Sequence, residues 1–319
     1  MYVPIKFIQL KLKIKIIILF CMIGLGAYAQ QDAIISQYYF NPMYINPAYA
    51  GSKDVATAIL IYRNQWVGID GAPVTQTFSL QAPNKRKNMG FGLQIYNDVV
   101  GPLRTTGVIF TYAYRIPLGN GKLAFGIQPS FSQYGLSWNK LKTQDQVDPT
   151  FFQNNEFKIV PDADFGMYYT SNTYFGGVSI NHMIQNSLFI TGSAHTYRHM
   201  YFLAGGVIKI NKNINLRPSA LIKYVEAAPL VTEINLAALF VDKIWLGLGI
   251  KGSGDFIGSK ANHQATAVVE YNLSEKLRFG YSYDMDLQQL GKYNTGSHEI
   301  MLGYNFSMYK SKMLVPRYF

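Results

Sequence analysis

The residues that could do chemistry are few and poorly spaced for catalysis. The histidines are His182, His195, His199, His263 and His298. His195 and His199 flank Tyr197 and Arg198, and a four-residue spacing converges on a metal only along a helix. A hydrolase needs a Ser or Asp brought beside a His. Ser297 and His298 are adjacent in sequence, which sends their side chains to opposite faces of a strand. Asp145, Asp148, Glu156, Asp162 and Asp164 supply oxygens that suit Ca²⁺, but they lack the fixed ligand spacing of a built calcium loop. The expectation is no catalytic residue, no metal and no cofactor.

A second set of charges is better ordered. Arg63, Arg115, Arg217, Lys223, Lys251, Arg278, Asp284 and Glu299 fall on, or near, the polar side of strand-like segments. Such residues either define a selective pore or, more often, pair across a narrow lumen and stiffen it.

The elements that position them show a period of two. In 276–284, Leu277, Phe279, Tyr281 and Tyr283 alternate with Lys276, Arg278, Gly280, Ser282 and Asp284. Successive side chains of a strand point to opposite faces, so one face is apolar and aromatic and the other polar. The segments 105–116, 214–224 and 298–306 repeat the pattern. Fourteen such segments are predicted: 55–65, 73–82, 88–97, 105–116, 121–135, 162–171, 173–181, 197–210, 213–226, 229–241, 243–253, 261–272, 276–286 and 296–307. Most reach the ~9–11 residues that a tilted strand needs to cross a bilayer. A soluble sandwich would place Lys, Glu and Asp opposite its core face; small and amide residues stand there instead.

The connections alternate as well. Turns at 84–88, 119–121, 171–172, 211–213, 242–243 and 274–276 are short and rich in Asn, Gly, Lys and Asp, as tight hairpins require. Between them lie 66–72, 98–104, 136–161, 182–196, 226–229, 254–260 and 287–295, nearly all longer. In outer-membrane barrels short turns are periplasmic and long loops extracellular. That rule puts both termini in the periplasm. The fold class expected is an all-β transmembrane antiparallel barrel of about fourteen strands, closed because lipid offers no hydrogen bonds to an open edge.

Composition agrees. Residues 1–29 read as a signal peptide, with Lys6, Lys11, Lys13 and Lys15 before the apolar run 16–25 and Ala27-Tyr28-Ala29 as the cleavage signal. Cys21 is the single cysteine and leaves with it, which excludes disulfides. The formal charge falls from +11 to +7 (25 basic against 18 acidic residues). It is spread over turns and alternate strand positions, unlike the single patch of a nucleic-acid binder. The domains expected are 1–29, the signal peptide; 30–54, a periplasmic or lumenal segment; 55–307, the barrel; and 308–319, a basic periplasmic tail.

Partner-binding candidates lie in three places. Asn46, Pro47, Tyr49 and Gly51 belong to a run, 36–52, that contains two Asn-Pro pairs, which break ladder pairing, and could plug the lumen or bind a partner. Arg63, Asn64, Trp66 and Asp70 border the first long loop, although Trp66 also suits an interfacial aromatic girdle. Arg317, Tyr318 and Phe319 end the tail.

The run SQYYFNPMYINPAYAGS (36–52) resembles the N-terminal signature of the PorP/SprF family of type IX secretion membrane proteins, as does YRNQWVGIDGAP (62–73). Asn97-Asp98 with Gly101-Pro102, Lys223-Tyr224 with Ala228-Pro229, and YNTGSHEIM (293–301) are similar in the same order. The resemblance implies an outer-membrane accessory of type IX secretion, associated in gliding bacteria with surface adhesins. It implies as partners an exported protein with a type IX sorting domain, and the translocon with its periplasmic ring components. Outer-membrane lipid surrounds the barrel. The alternative is a passive porin for small solutes.

Overall fold

In a computed structural model the chain is a closed antiparallel β-barrel. The structure describes residues 35–53, 55–137, 156–188, 195–226, 228–254 and 262–306. The strands are β1 Ala56–Asn64, β2 Val74–Pro83, β3 Met89–Val100, β4 Leu103–Leu118, β5 Gly121–Leu136, β6 Glu156–Ser171 and β7 Tyr174–Asn181. They continue as β8 His199–Gly206, β9 Ile208–Lys209, β10 Ile214–Val225, β11 Val231–Phe240, β12 Ile244–Ser253, β13 Asn262–Asn272, β14 Leu277–Asp286 and β15 Ser297–Phe306. The strands β8 and β9 are one span interrupted at Val207, whose N–H turns aside to Thr173 O at 2.7 Å. Fourteen spans result, each at a predicted position.

Each strand pairs with its sequence neighbour, and β1 closes on β15 from Ala56↔Phe306 to Asn64↔His298. Closure leaves no unpaired edge to meet hydrocarbon. Burial is inverted relative to a soluble protein. Leu248, Ile159, Phe131 and Phe110 are exposed on the outer face, whereas Arg63, Lys223, Asp284 and Glu299 are at most 1% exposed inside. An apolar exterior around a polar interior is the pattern of a membrane-spanning barrel. It removes the sandwich reading.

Two strand ends differ from expectation. The segment 98–104 is mostly ladder, and only Gly101-Pro102 joins β3 to β4. The strand β6 starts at Glu156 rather than 162. The first of these carries polar residues that pair across the strands: Arg104 Nε donates to Asn97 Oδ1 at 2.8 Å, and Thr75 Oγ1 to Asp98 Oδ1 at 2.6 Å. A ladder can continue past the apolar band that reveals it in sequence.

Candidate functional site

The lumen is filled by the chain's own residues 35–53. Pro42 and Pro47 each open a one-turn 3₁₀ helix, η2 Pro42–Tyr44 and η3 Pro47–Tyr49, after η1 Tyr38–Phe40. Proline fixes φ and lacks the N–H that a first turn leaves unpaired. Asn46 caps η3, its Oδ1 accepting from Ala48 N at 3.0 Å. The segment thus meets most of its own backbone needs without a strand partner.

It runs the length of the lumen. Ser36 lies among the last residues of β1 and β14 and the first of β15, beside the long connections. Gly51 lies at the rim of the short turns, with its N–H on Gln81 Oε1 at 2.9 Å. From there the chain reverses into β1.

Ser36 sits at a buried ion cluster. Arg63 Nη2 lies 2.7 Å from Asp284 Oδ2, and Nη1 lies 3.0 Å from Glu299 Oε2. The Ser36 hydroxyl accepts from Arg63 and donates to Asp284 at 2.6 Å. The N–H groups of Ser36 and Gln37 each donate to a Glu299 oxygen at 2.9 Å. Thr266 Oγ1 completes Asp284 at 2.7 Å. Buried charges are tolerable only when paired and hydrogen-bonded, and here the plug itself supplies part of that satisfaction.

Of the other lumen candidates, Arg217 and Arg115 reach the plug, whereas Arg278 and Lys223 meet residues of the wall. The Arg217 guanidinium stacks on Tyr39 and Phe175, 5.9 and 5.1 Å from their ring centroids. Arg115 donates to Ala50 O. Arg278 is 3.5 Å from Glu270, and Lys223 is 6.0 Å from the Tyr201 ring centroid. Asn46 Nδ2 bridges Met167 O and Val178 O at 2.9 and 3.1 Å, and Tyr49 packs edge-on against Tyr168. Tyr38 accepts from Asn235 Nδ2 at 2.9 Å. Pro47 and Gly51 are buried in the same segment.

Several strands carry glycine where the plug comes closest. A Cβ on Gly90 would strike Ala50 O; on Gly126, the Pro47–Ala48 backbone; on Gly166, the Asn46 side chain; on Gly280, Gln37 Oε1. Glycine inside a strand often marks the close approach of another backbone. Sequence reasoning missed this cradle, along with Ser36, Gln37 and Thr266. The signal was glycine at lumen positions where neighbouring strands carry polar side chains.

The family-like motifs meet at the rim of the long connections. Val67 N donates to Gly296 O at 2.9 Å, and Thr295 N to Val67 O at 2.8 Å. Gly101 N donates to Gly71 O at 2.9 Å, and Trp66 N to Ser297 Oγ at 3.1 Å. Asp70 is exposed there; Asn64 and Trp66 are half-buried. Arg63 points inward to the ion cluster. Ser297 faces the lumen side, and His298 Nδ1 meets Tyr281 OH at 2.7 Å on the other. His182 Nδ1 is 2.6 Å from Asp162 Oδ2. Arg317, Tyr318, Phe319, Asp145 and Asp148 lie outside the described residues, as does the Glu156 side chain.

The family model for the type IX secretion system membrane protein PorP/SprF matches residues 27–304. The chain belongs to the PorP/SprF family. The comparison with curated proteins returns no match. Among solved structures, a Pseudomonas aeruginosa FadL homologue is similar at 11% identity and a TM-score of 0.50, covering 88% of this chain and 96% of that one. A TodX deltaS2S3 mutant monoaromatic hydrocarbon channel is similar at 10% identity and a TM-score of 0.50, covering 83% and 94%. At such identities the likeness shows the fold alone. Family and barrel together make this PorP/SprF member an outer-membrane component of type IX secretion.

Proposed function

We propose that this barrel acts as a closed platform of type IX secretion, binding an exported surface protein, the translocon, or both, at the rim of its long connections. The filled lumen carries the reading. A channel for solutes needs open cross-section, and here three 3₁₀ turns occupy it while the barrel's glycines make room for them. The porin alternative loses its main physical requirement, and passage of a large folded cargo through the lumen loses it more completely. The interlocked motifs around Trp66, Asp70, Gly101 and Gly296 offer a rigid surface for a partner bearing a sorting domain, such as a gliding adhesin. The short-turn rim would face periplasmic ring components. The reading includes no catalysis, since Ser297 and His298 diverge and Asp162 and Asp164 serve local pairing.

Purification of the barrel from native membranes tests this directly. A sorting-domain substrate or a secretion component should co-purify, and recovery of the barrel alone would overturn the proposal. Orientation is tested separately. A protease site inserted at Asp70 should be cut on intact cells and one at Arg86 should not; the opposite result reverses the assignment of the rims.

A further inference from the structure

The charges of the lumen are unevenly answered. In the half beside the long connections, Arg63 meets Asp284 and Glu299, and Lys251 stands opposite Glu233 across β11 and β12. The half beside the short turns differs. Arg115, Arg217 and Arg278 lie within four residues of those turns, on β4, β10 and β14, and are at most 7% exposed. Lys53, half-buried, precedes β1 at the same end. Among the described residues the buried carboxylate there is Glu270, 3.5 Å from Arg278. Even a two-pronged grip by Glu270 would answer one guanidinium of the three.

The donors are unmet as well. Arg115 Nη1, Arg217 Nε, and Arg278 Nε and Nη2 are buried, and among the described residues none of these atoms has a hydrogen-bond partner. Leaving a charged donor buried and unpaired is costly. The three side chains also gather at one place. All lie within electrostatic reach of the Tyr49 hydroxyl, and Arg217 and Arg278 within reach of Lys53. Each is held from one side. Arg217 stacks on Tyr39 and Phe175, Arg115 donates to Ala50 O, and Arg278 lies along Gly303, where a Cβ would strike its Nε. A guanidinium fixed by its face or by one prong keeps its other N–H groups in a planar fork, the arrangement that suits an oxyanion.

We propose that the short-turn end of the lumen binds one phosphate-class oxyanion between Arg217, Arg278 and Lys53, tying the plug to the wall. The guanidinium groups alone exceed Glu270 by two charges (three against one), before Lys53 is counted. A single carboxylate would answer only one of them. A phosphate brings several acceptor oxygens and about two negative charges at neutral pH. Its ligands come from the wall strands β10 and β14 and from the segment that joins the plug to β1, so its occupancy opposes withdrawal of the plug. The inference rests on the filled lumen and not on the platform reading.

The test is uptake of inorganic phosphate by the purified full chain, followed by titration calorimetry at fixed ionic strength with chloride as the balance. The wild type should bind saturably, and its folded band on unheated electrophoresis should melt at a higher temperature as phosphate rises. Arg217→Gln and Arg278→Gln should each weaken binding by about tenfold or more, whereas Arg86→Gln, on an exposed turn, should leave it unchanged. If the buried changes prevent folding, Lys53→Gln, which lies outside the strands, should show the weakening in a folded barrel. No uptake by the wild type, uptake unaltered in Arg217→Gln or Lys53→Gln, or succinate bound as tightly as phosphate overturns the proposal.

Discussion

Deleting residues 35–53 should convert a closed barrel into a conducting one. Wild-type protein in liposomes is expected to pass sugars no faster than empty vesicles; the deletion should give steady swelling. The physical basis is the size of a fourteen-stranded barrel, intermediate between filled eight-stranded barrels and open porins. Without Tyr38, Met43 and Tyr49, all at most 1% exposed, little else described would occupy the axis. If the deletion does not assemble, Asn46→Ala with Arg115→Gln loosens the segment where it grips β4, β6 and β7. That variant should show intermittent conductance. Swelling by the wild type as fast as by the deletion would return the porin reading to first place.

The second large effect is at Arg63. Its guanidinium is the cation that contacts both Asp284 and Glu299, and all three side chains are sealed from water. Arg63→Ala leaves two buried carboxylates without their counter-ion, a change that typically costs about 3–5 kcal/mol. The folded band resolved by electrophoresis without heating should melt at a clearly lower temperature. Adding Asp284→Asn and Glu299→Gln removes the stranded charges and should recover part of the loss. Recovery separates an electrostatic origin from a packing defect, because the triple variant restores no side-chain volume. An unaltered melting point in Arg63→Ala would show that the cluster contributes nothing to holding plug and wall together.

These two sites differ in how far the sequence disclosed them. The fourteen spans were legible because lipid on one side and polar groups on the other impose a strict period of two. Turn residues such as Asn84 and Gly119 marked the reversals. Strand ends were less legible, as at Asn97 and Arg104, because beyond the apolar band the ladder is held by polar cross-strand pairs. The charged lumen positions were also visible from alternation. Their partners were not. Arg63 and Glu299 are 236 residues apart and meet only because the first strand closes on the last. The Asn-Pro pairs announced turns at 41–42 and 46–47. Nothing local said that those turns lie inside the barrel, since a plug and an exposed arm have the same short-range chemistry. The glycines at 90, 126, 166 and 280 held that information, but only once their lumen parity was known.

The path of residues 35–53 has a consequence for assembly order. Nearly every contact between strands joins neighbours in the chain, so the hairpins can form as short loops close, at low entropic cost. The seam between β1 and β15 is the exception, and the plug lies directly against it, with Glu299 receiving both Ser36 and Gln37. A cylinder sealed before the plug arrived would have to reopen to admit it. The early segment must therefore lie along the growing sheet as a mandrel, and the last strand must wrap it in. The final step of closure then joins β1 to β15 against residues 36 and 37, and Glu299 receives those two N–H groups only in a molecule where that segment was already in place.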